Sequence, residues 1–165
     1  MGLSKLLLNR HIKQAIKNGL SLGEDYYIHS RIDFGSEPYL ITIGNHVRIC
    51  AGVRFITHDG GVWILREQET FKDVDVFGPI KIGNNVHIGN DVIIMPNVTI
   101  GDNVVIGCGA VVTKDIPSNS IAVGVPAKVI ETLKVYKEKV LKKCDKTHGL
   151  GTEEKRSYLL KKYKK

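Results

Sequence analysis

Histidines are the residues of this chain best suited to proton transfer near neutral pH, and one of them stands where the sequence pattern changes. His58 lies in the run Thr57-His58-Asp59-Gly60-Gly61, after a repetitive segment and before an irregular one. An imidazole can take a proton from a hydroxyl group as its oxygen attacks a carbonyl carbon, and can then return it to the leaving group. On position alone an ordinary surface histidine is the simpler interpretation, so the surrounding elements decide the question.

The elements that must position His58 are short repeats. Between Ile82 and Pro117 six units of six residues follow one another, each opened by an aliphatic residue and four of them continued by Gly. Val, Ala or Ile stands four places after each opener. Two inward side chains per unit predict one short strand and one corner of a triangular coil, with coils stacked about 4.8 Å apart. The chain is therefore expected to be mainly β, a parallel β-helix.

Interruptions of the repeat divide the chain. The six-residue phase extends upstream to Leu22, with about three residues inserted around Pro38-Tyr39-Leu40, and it is lost between Gly61 and Gly78. A long loop in a compact repeat is usually functional or disordered, and Trp63 favours an ordered, contacting loop. We expect one domain over 1–165, made of an N-terminal helical cap (1–20), a β-helix of about four coils (21–130) with an extruded loop (59–79), and a basic helical tail (131–165).

Both ends of the chain have helical patterns. Near the N-terminus the apolar residues are spaced for one face of a short helix. Two further helices are predicted, one from Glu131 to Lys143 and one from Thr152 to Tyr163 with Thr152 as its N-cap. The apolar positions of the N-terminal helix are Leu3, Leu7, Ile12, Ala15 and Ile16.

Composition is that of a soluble globular protein. Of the 165 residues 42% are hydrophobic and 25% charged. The sequence contains no run of about 18 apolar residues, so no membrane span is predicted. The three cysteines, Cys50, Cys108 and Cys144, have no paired spacing. Free thiols in a reducing, cytoplasmic compartment are therefore expected.

The net charge of +7 belongs to the tail. From Lys128 to the end there are 13 Lys and Arg against 5 Asp and Glu. Contact with an anionic membrane is conceivable there, but a solvated helix face with a frayed Lys-rich end is the simpler interpretation. No aromatic platform is interleaved with the basic residues, so no nucleic-acid partner is expected.

The stretch from Gly78 to Ile130 resembles the hexapeptide-repeat acyltransferases, which are left-handed parallel β-helices. Within that family it is similar to the sugar O-acetyltransferases that include the maltose and galactoside enzymes. The segment Phe55-Ile-Thr-His-Asp-Gly-Gly-Val-Trp63 looks closest to enzymes that acetylate capsular or lipopolysaccharide sugars. The resemblance implies transfer of an acetyl group from acetyl-coenzyme A to a sugar or glycan hydroxyl, without a metal, by a homotrimer whose active sites lie in grooves between neighbours.

The resemblance also implies roles for individual residues on the donor side. His58 matches the catalytic histidine and would act as general base in a direct attack on the thioester. His87 stands where several relatives have Trp and would line the pantetheine channel. Asn90 and Cys108 would lie beside the pantetheine, Thr113 and Lys114 would hold its outer part, and Lys128 would meet a phosphate.

Candidates for binding the acceptor lie around the insertion and in the extruded loop. An indole can stack on a sugar ring, and carboxylates can accept hydrogen bonds from hydroxyl groups. Asp59 is also a candidate to orient the imidazole, although adjacent residues on an extended strand point opposite ways, and a backbone carbonyl would serve equally. The acceptor candidates are Asp33, Glu37, Tyr39, Asp59, Trp63 and Arg66.

Two alternatives remain open from the sequence. An N-acyltransferase acting on an amino-sugar would use the same base and donor. A non-catalytic β-helix scaffold would neither bind coenzyme A nor respond to the loss of His58. A zinc-dependent carbonic anhydrase of this fold is not expected, because it needs two histidines five residues apart and no pair here has that spacing.

Overall fold

A computed structural model describes residues 3–164, with side chains from Arg10 to Lys164. Most strands are only two or three residues long, as a coil with three short sides requires. The helices are α1 (Leu3–Lys17), α2 (Leu133–Lys143) and α3 (Thr152–Tyr163). The strands are β1 (Ser21–Leu22), β2 (Tyr27–Ile28), β3 (Ile41–Ile43), β4 (Val47–Ile49), β5 (Arg54–Phe55), β6 (Ile80–Ile82), β7 (Val86–Ile88), β8 (Ile93–Ile94), β9 (Thr99–Ile100), β10 (Val104–Ile106), β11 (Val111–Val112), β12 (Ser120–Val123) and β13 (Lys128–Thr132).

The strands form three sheets that the chain visits in turn. One sheet has the order β1-β3-β6-β9, a second β13-β12-β10-β7-β4-β2, and a third β11-β8-β5. Every pair is parallel except β12 with β13, where the chain turns back on itself. Sheets built from successive turns of one coil fit the β-helix that the six-residue repeat predicts.

Aliphatic side chains from the repeat openers fill the interior. Strands such as β3 and β6 alternate buried, exposed, buried, so one side chain in two points inward. Inward residues stack in register from coil to coil, as in the column Ile49, Ile88 and Ile106. Each of these three is fully buried, and burial of one such side chain contributes about 1.5–3 kcal/mol.

Side-chain oxygens connect the coils along one corner. The backbone N–H of Glu24 donates to Asn45 Oδ1, that of Asn45 to Asn84 Oδ1, and that of Asn84 to Asp102 Oδ1, at 2.7, 2.9 and 2.6 Å. The N–H of Asp102 donates in turn to Ser118 Oγ at 2.9 Å. The Asn or Asp that follows Gly in the repeat thus satisfies corner N–H groups that the strands leave free.

The glycines before these residues permit close stacking. A Cβ on Gly44 would lie 2.7 Å from the carbonyl oxygen of Gly83, and one on Gly83 would lie 2.8 Å from the carbonyl carbon of Gly101. Only a residue without a side chain allows the backbones to approach this closely.

Two interruptions of the coil create the surface that surrounds His58. The insertion forms a 3-10 helix at Pro38–Leu40, and the extruded loop contains 3-10 helices at Gly60–Leu65 and Glu69–Phe71. The ends of the loop are fastened together, because the Gly78 N–H donates to the Thr57 carbonyl at 2.8 Å and the Asp59 N–H to the Val76 carbonyl at 2.9 Å. The loop is therefore held against the coil at its base.

The helices at the two ends differ in detail from the predicted ones. In α1, Ile12 and Ala15 are buried but Ile16 is exposed, while the side chains of Leu3 and Leu7 lie outside the described residues. Thr152 is not the N-cap of α3; Gly151 is, and its Cα carries no capping side chain. In residues 3–164 there is no helix whose length and apolar character would let it cross a membrane.

Candidate active site

His58 stands at the junction of β5 and the extruded loop, beside the carboxylate of Glu37. Its Nδ1 lies 3.2 Å from Glu37 Oε2. The imidazole side chain is 45% exposed and the carboxylate side chain 13%. A hydrogen bond from Nδ1–H to this carboxylate selects the tautomer in which Nε2 carries the free lone pair. The geometry thus presents a proton acceptor to the solvent side of the junction.

Glu37 is held by a buried hydroxyl group. Thr57, which is 0% exposed, donates from Oγ1 to Glu37 Oε2 at 2.6 Å. This hydrogen bond is the main cause that lowers the pKa of Glu37 below its usual 4.5, and burial opposes it, while Ser36 and His58 lower it further. Glu37 is therefore an ionised carboxylate at neutral pH, fixed on one side and facing the imidazole on the other.

A cavity of about 330 Å³ opens in front of His58. One wall of the cavity is the extruded loop, where Trp63 is 75% exposed. Arg66 Nη2 donates to Asp75 Oδ1 at 2.5 Å across the loop. Phe77 lies edge-on to the imidazole, with ring centroids 6.3 Å apart. Glu37, His58, Trp63 and Arg66 therefore line one cavity, whose size is that of a small-molecule site.

The other acceptor candidates do not contact the imidazole. Asp59 Oδ1 accepts from the Gly61 N–H at 2.8 Å and caps the 3-10 helix, although its side chain also lines the cavity. Asp33 Oδ1 accepts from the Gly35 N–H at 2.9 Å. Tyr39 is exposed and does not line the cavity. Glu37, not Asp59, is thus the carboxylate that faces His58.

His87 lies on the outer face of the second sheet. In register with it are Arg48 on β4 and Val105 on β10. Partial burial, and then the positive charge of Arg48, lower the pKa of His87, so its imidazole is neutral at pH 7. It borders a separate cavity of about 260 Å³ that also includes His46.

The five positions predicted to hold coenzyme A lie near the C-terminal end of the coil. The Gly109 N–H donates to the Asn90 carbonyl at 2.8 Å, so the corners that carry Asn90 and Cys108 are stacked. Thr113 and Lys114 follow β11, and Lys128 opens β13, whose preceding Ala127 N–H donates to the Val111 carbonyl at 2.8 Å. Cys108 lies in the last coil, and Thr113, Lys114 and Lys128 follow its final strand, β11. None of the five residues lines the cavity around His58.

Several residues of this site were not predicted from the sequence, among them Thr57, Asp75 and Phe77. Thr57 gave no signal except that it adjoins His58, and Asp75 was one of several acidic residues in the loop. No group of three or more His, Cys, Asp or Glu side chains within the described part of the chain is arranged to hold a metal ion.

Comparisons with known proteins define the class. The family model of bacterial transferase hexapeptide repeats, a set of six repeats, matches residues 79–114. Together with the relatives described below, this match shows that the chain belongs to the hexapeptide-repeat acyltransferases, and that it is an acyltransferase. The resemblance inferred from the sequence is thereby confirmed.

The chain is similar to one protein by sequence and to two solved acetyltransferases by structure. Protein CapG of Staphylococcus aureus is 53% identical over 150 residues, which are 90% of this chain and 86% of that protein. A galactoside acetyltransferase in complex with coenzyme A superposes with a TM-score of 0.63 and 32% identity, over 79% of this chain and 74% of the other. A maltose O-acetyltransferase from Clostridium difficile 630 has a TM-score of 0.54 and 31% identity, over 75% of each chain.

Proposed function

We propose that this acyltransferase transfers an acetyl group from acetyl-coenzyme A to a hydroxyl group of a sugar or surface glycan, with His58 as general base. The observation that carries the proposal is the pairing of His58 Nδ1 with the ionised Glu37, at 3.2 Å, in a cavity that also presents Trp63. The galactoside acetyltransferase with coenzyme A and the maltose O-acetyltransferase support the same donor and the same class of acceptor.

The proposed reaction is a direct transfer. The acceptor hydroxyl gives its proton to His58 Nε2 while its oxygen forms a bond to the thioester carbonyl carbon. The C–S bond then breaks, and the imidazolium returns the proton to the leaving thiolate. The carboxylate of Glu37 stabilises the imidazolium and keeps the ring in its productive orientation. Cys108 is assigned no covalent role, because direct transfer needs no acyl-enzyme.

We place the acetyl donor along Asn90, Cys108, Thr113, Lys114 and Lys128, with His87 beside the pantetheine. None of these positions lines the His58 cavity of the same chain. We place base and donor on neighbouring copies, in the grooves between subunits of the homotrimer that the family resemblance implies.

The base assignment is tested with acetyl-coenzyme A and a panel of sugars, with free thiol and acetylated sugar measured together. His58→Ala should reduce kcat about 10³-fold or more, since a positioned base contributes roughly 10²–10⁴-fold, and should leave the Kd for coenzyme A unchanged. His148→Ala is the matched control, because His148 is exposed and outside the cavity. Equal rates for His58→Ala and the control would refute the assignment.

The shared site is tested by subunit complementation. His58→Ala lacks the base, and Cys108→Trp would block the pantetheine path from the exposed position of Cys108. If base and donor come from different copies, dissociating and reassociating the two inactive proteins together should restore part of the activity. No recovery from mixed oligomers of confirmed composition would place both groups in one chain.

A further inference from the structure

The cavity beside His58 has an excess of negative charge. Three carboxylates line it, those of Glu37, Asp59 and Asp75, against one guanidinium, that of Arg66. Arg66 Nη2 is bound to Asp75 Oδ1 at 2.5 Å. The charge of Arg66 is therefore neutralised by Asp75, and Glu37 and Asp59 leave the cavity with a negative potential.

The same cavity offers an apolar platform. Trp63, on the 3-10 helix Gly60–Leu65, is the most exposed aromatic residue of the cavity. Phe77 also lines the cavity and is half exposed. An aromatic face binds the C–H face of a pyranose, while carboxylate oxygens accept hydrogen bonds from its hydroxyl groups. Neither interaction needs a charge on the ligand.

We propose that this cavity selects an uncharged sugar ring stacked on Trp63, and that Asp75 enforces the selection by occupying Arg66. A free guanidinium would bind a carboxylate or phosphate on the acceptor with two parallel hydrogen bonds. With Asp75 in that place, an anionic acceptor meets Glu37 and Asp59 without a compensating cation. This inference rests on the proposed function, because it names the class of acceptor for the same site.

The physical basis is discrimination by repulsion as well as by attraction. An acceptor can be rejected by placing like charge where its own charge must lie. Asp75 contributes in two ways. It adds a negative charge, and it occupies the guanidinium of Arg66, which could otherwise bind an anion. Because Arg66 and Asp75 are each about half exposed, solvent screens the effect, and the two contributions together should change the discrimination by roughly threefold to fivefold.

The experiment compares matched pairs of acceptors, neutral p-nitrophenyl hexosides and the uronides of the same configuration. The ratio of kcat/KM for uronide to that for hexoside is measured for wild type and for Asp75→Asn. Wild type should favour the hexoside, and Asp75→Asn should raise the ratio about fivefold. The matched control is Asp73→Asn, the same charge change at an exposed position of the same loop outside the cavity, and its ratio should equal that of wild type.

A double variant separates a freed guanidinium from the mere loss of a carboxylate. In Arg66→Gln/Asp75→Asn both members of the pair are removed, so the ratio should return to the wild-type value. A double variant as permissive as Asp75→Asn would overturn the role of Arg66. An equal shift in Asp73→Asn and Asp75→Asn would overturn the local role of Asp75.

Wild type alone provides a test that does not depend on folding of a variant. Salt screens the repulsion, so the ratio should rise as ionic strength increases from about 0.02 to 0.5 M. A ratio independent of salt would overturn the inference. Transfer that favours uronides over hexosides would overturn the inference alone, whereas no transfer to any sugar of either series would overturn the proposed function as well.

Discussion

Thr57 Oγ1 donates a hydrogen bond of 2.6 Å to Glu37 Oε2, the same oxygen that lies 3.2 Å from His58 Nδ1. Thr57 is buried and His58 exposed, so the carboxylate stands at the boundary between the interior of the coil and the cavity. The β-branched hydroxyl side chain has few rotamers, and it fixes a carboxylate that in turn faces the imidazole. Rigidity of the coil is thereby transmitted to the proposed base.

The first prediction concerns this buried hydroxyl. Thr57→Val keeps the shape of the side chain but removes the hydrogen-bond donor to Glu37. The loss of this hydrogen bond costs about 1–1.5 kcal/mol. We expect kcat to fall about tenfold with little change in KM for acetyl-coenzyme A. Thr57→Ser restores the hydroxyl and should recover most of the rate. A lower Tm with an unchanged kcat would contradict this positioning role.

The second prediction concerns the stability that ionised Glu37 contributes. Its pKa is lowered in the folded protein, chiefly by the hydrogen bond from Thr57. The ionised form of Glu37 therefore stabilises the folded state. The contribution is fully present above the unfolded pKa near 4.5 and is lost as pH falls through the depressed folded value. The difference in unfolding free energy between wild type and Glu37→Gln should be about 1–2 kcal/mol at pH 7 and shrink on acidification.

Urea unfolding at a series of pH values measures this difference. The control is Glu67→Gln in the exposed part of the loop, for which the difference should be small at every pH. A Glu37→Gln difference that does not change between neutral and acidic pH would contradict the linkage.

The repeat predicted the coil well because each position has one environment. Openers such as Ile88 and Ile106 face inward in every turn, so the period fixes both strand and burial. The pairing of Glu37 with His58 spans 21 residues, whereas residues stacked in successive uninterrupted coils, such as Asn84 and Asp102, are 18 apart. The inserted residues account for the difference, so the contact was within reach of the sequence once the insertion had been located.

The walls of the cavity were less predictable. Arg66 and Asp75 are paired across a loop that has no repeat, and their separation of nine residues corresponds to no regular element. The loop contains other carboxylates, such as Glu67 and Asp73, that are equally near in sequence. The choice among them depends on the fold of the two 3-10 helices, and such short segments give little sequence signal.

The third prediction tests the corner ladder. Asp102 Oδ1 accepts from the N–H of Asn84 at 2.6 Å and from its side-chain amide at 3.0 Å. Asp102→Ala should lower the unfolding free energy by about 1 kcal/mol or somewhat more, since it leaves the corner N–H with water only. Asp102→Asn retains an acceptor oxygen and should cost less. Chemical denaturation of the three proteins measures the order, and an alanine variant as stable as wild type would contradict a structural role for the ladder.

The fourth prediction concerns His87 and Arg48 on the outer face of the second sheet. Partial burial is the larger cause of the lowered pKa of His87, and the charge of Arg48 is the smaller one. Arg48→Gln should therefore raise the pKa of His87 while leaving it below the usual value, because burial remains. Arg54→Gln, on β5 in the third sheet, should leave it unchanged. The pKa of His87 in both variants is measured by NMR titration of the imidazole Cε1–H signals. The His87 signal is assigned as the one that is lost in His87→Gln. An unchanged value in Arg48→Gln would show that burial alone keeps this imidazole neutral.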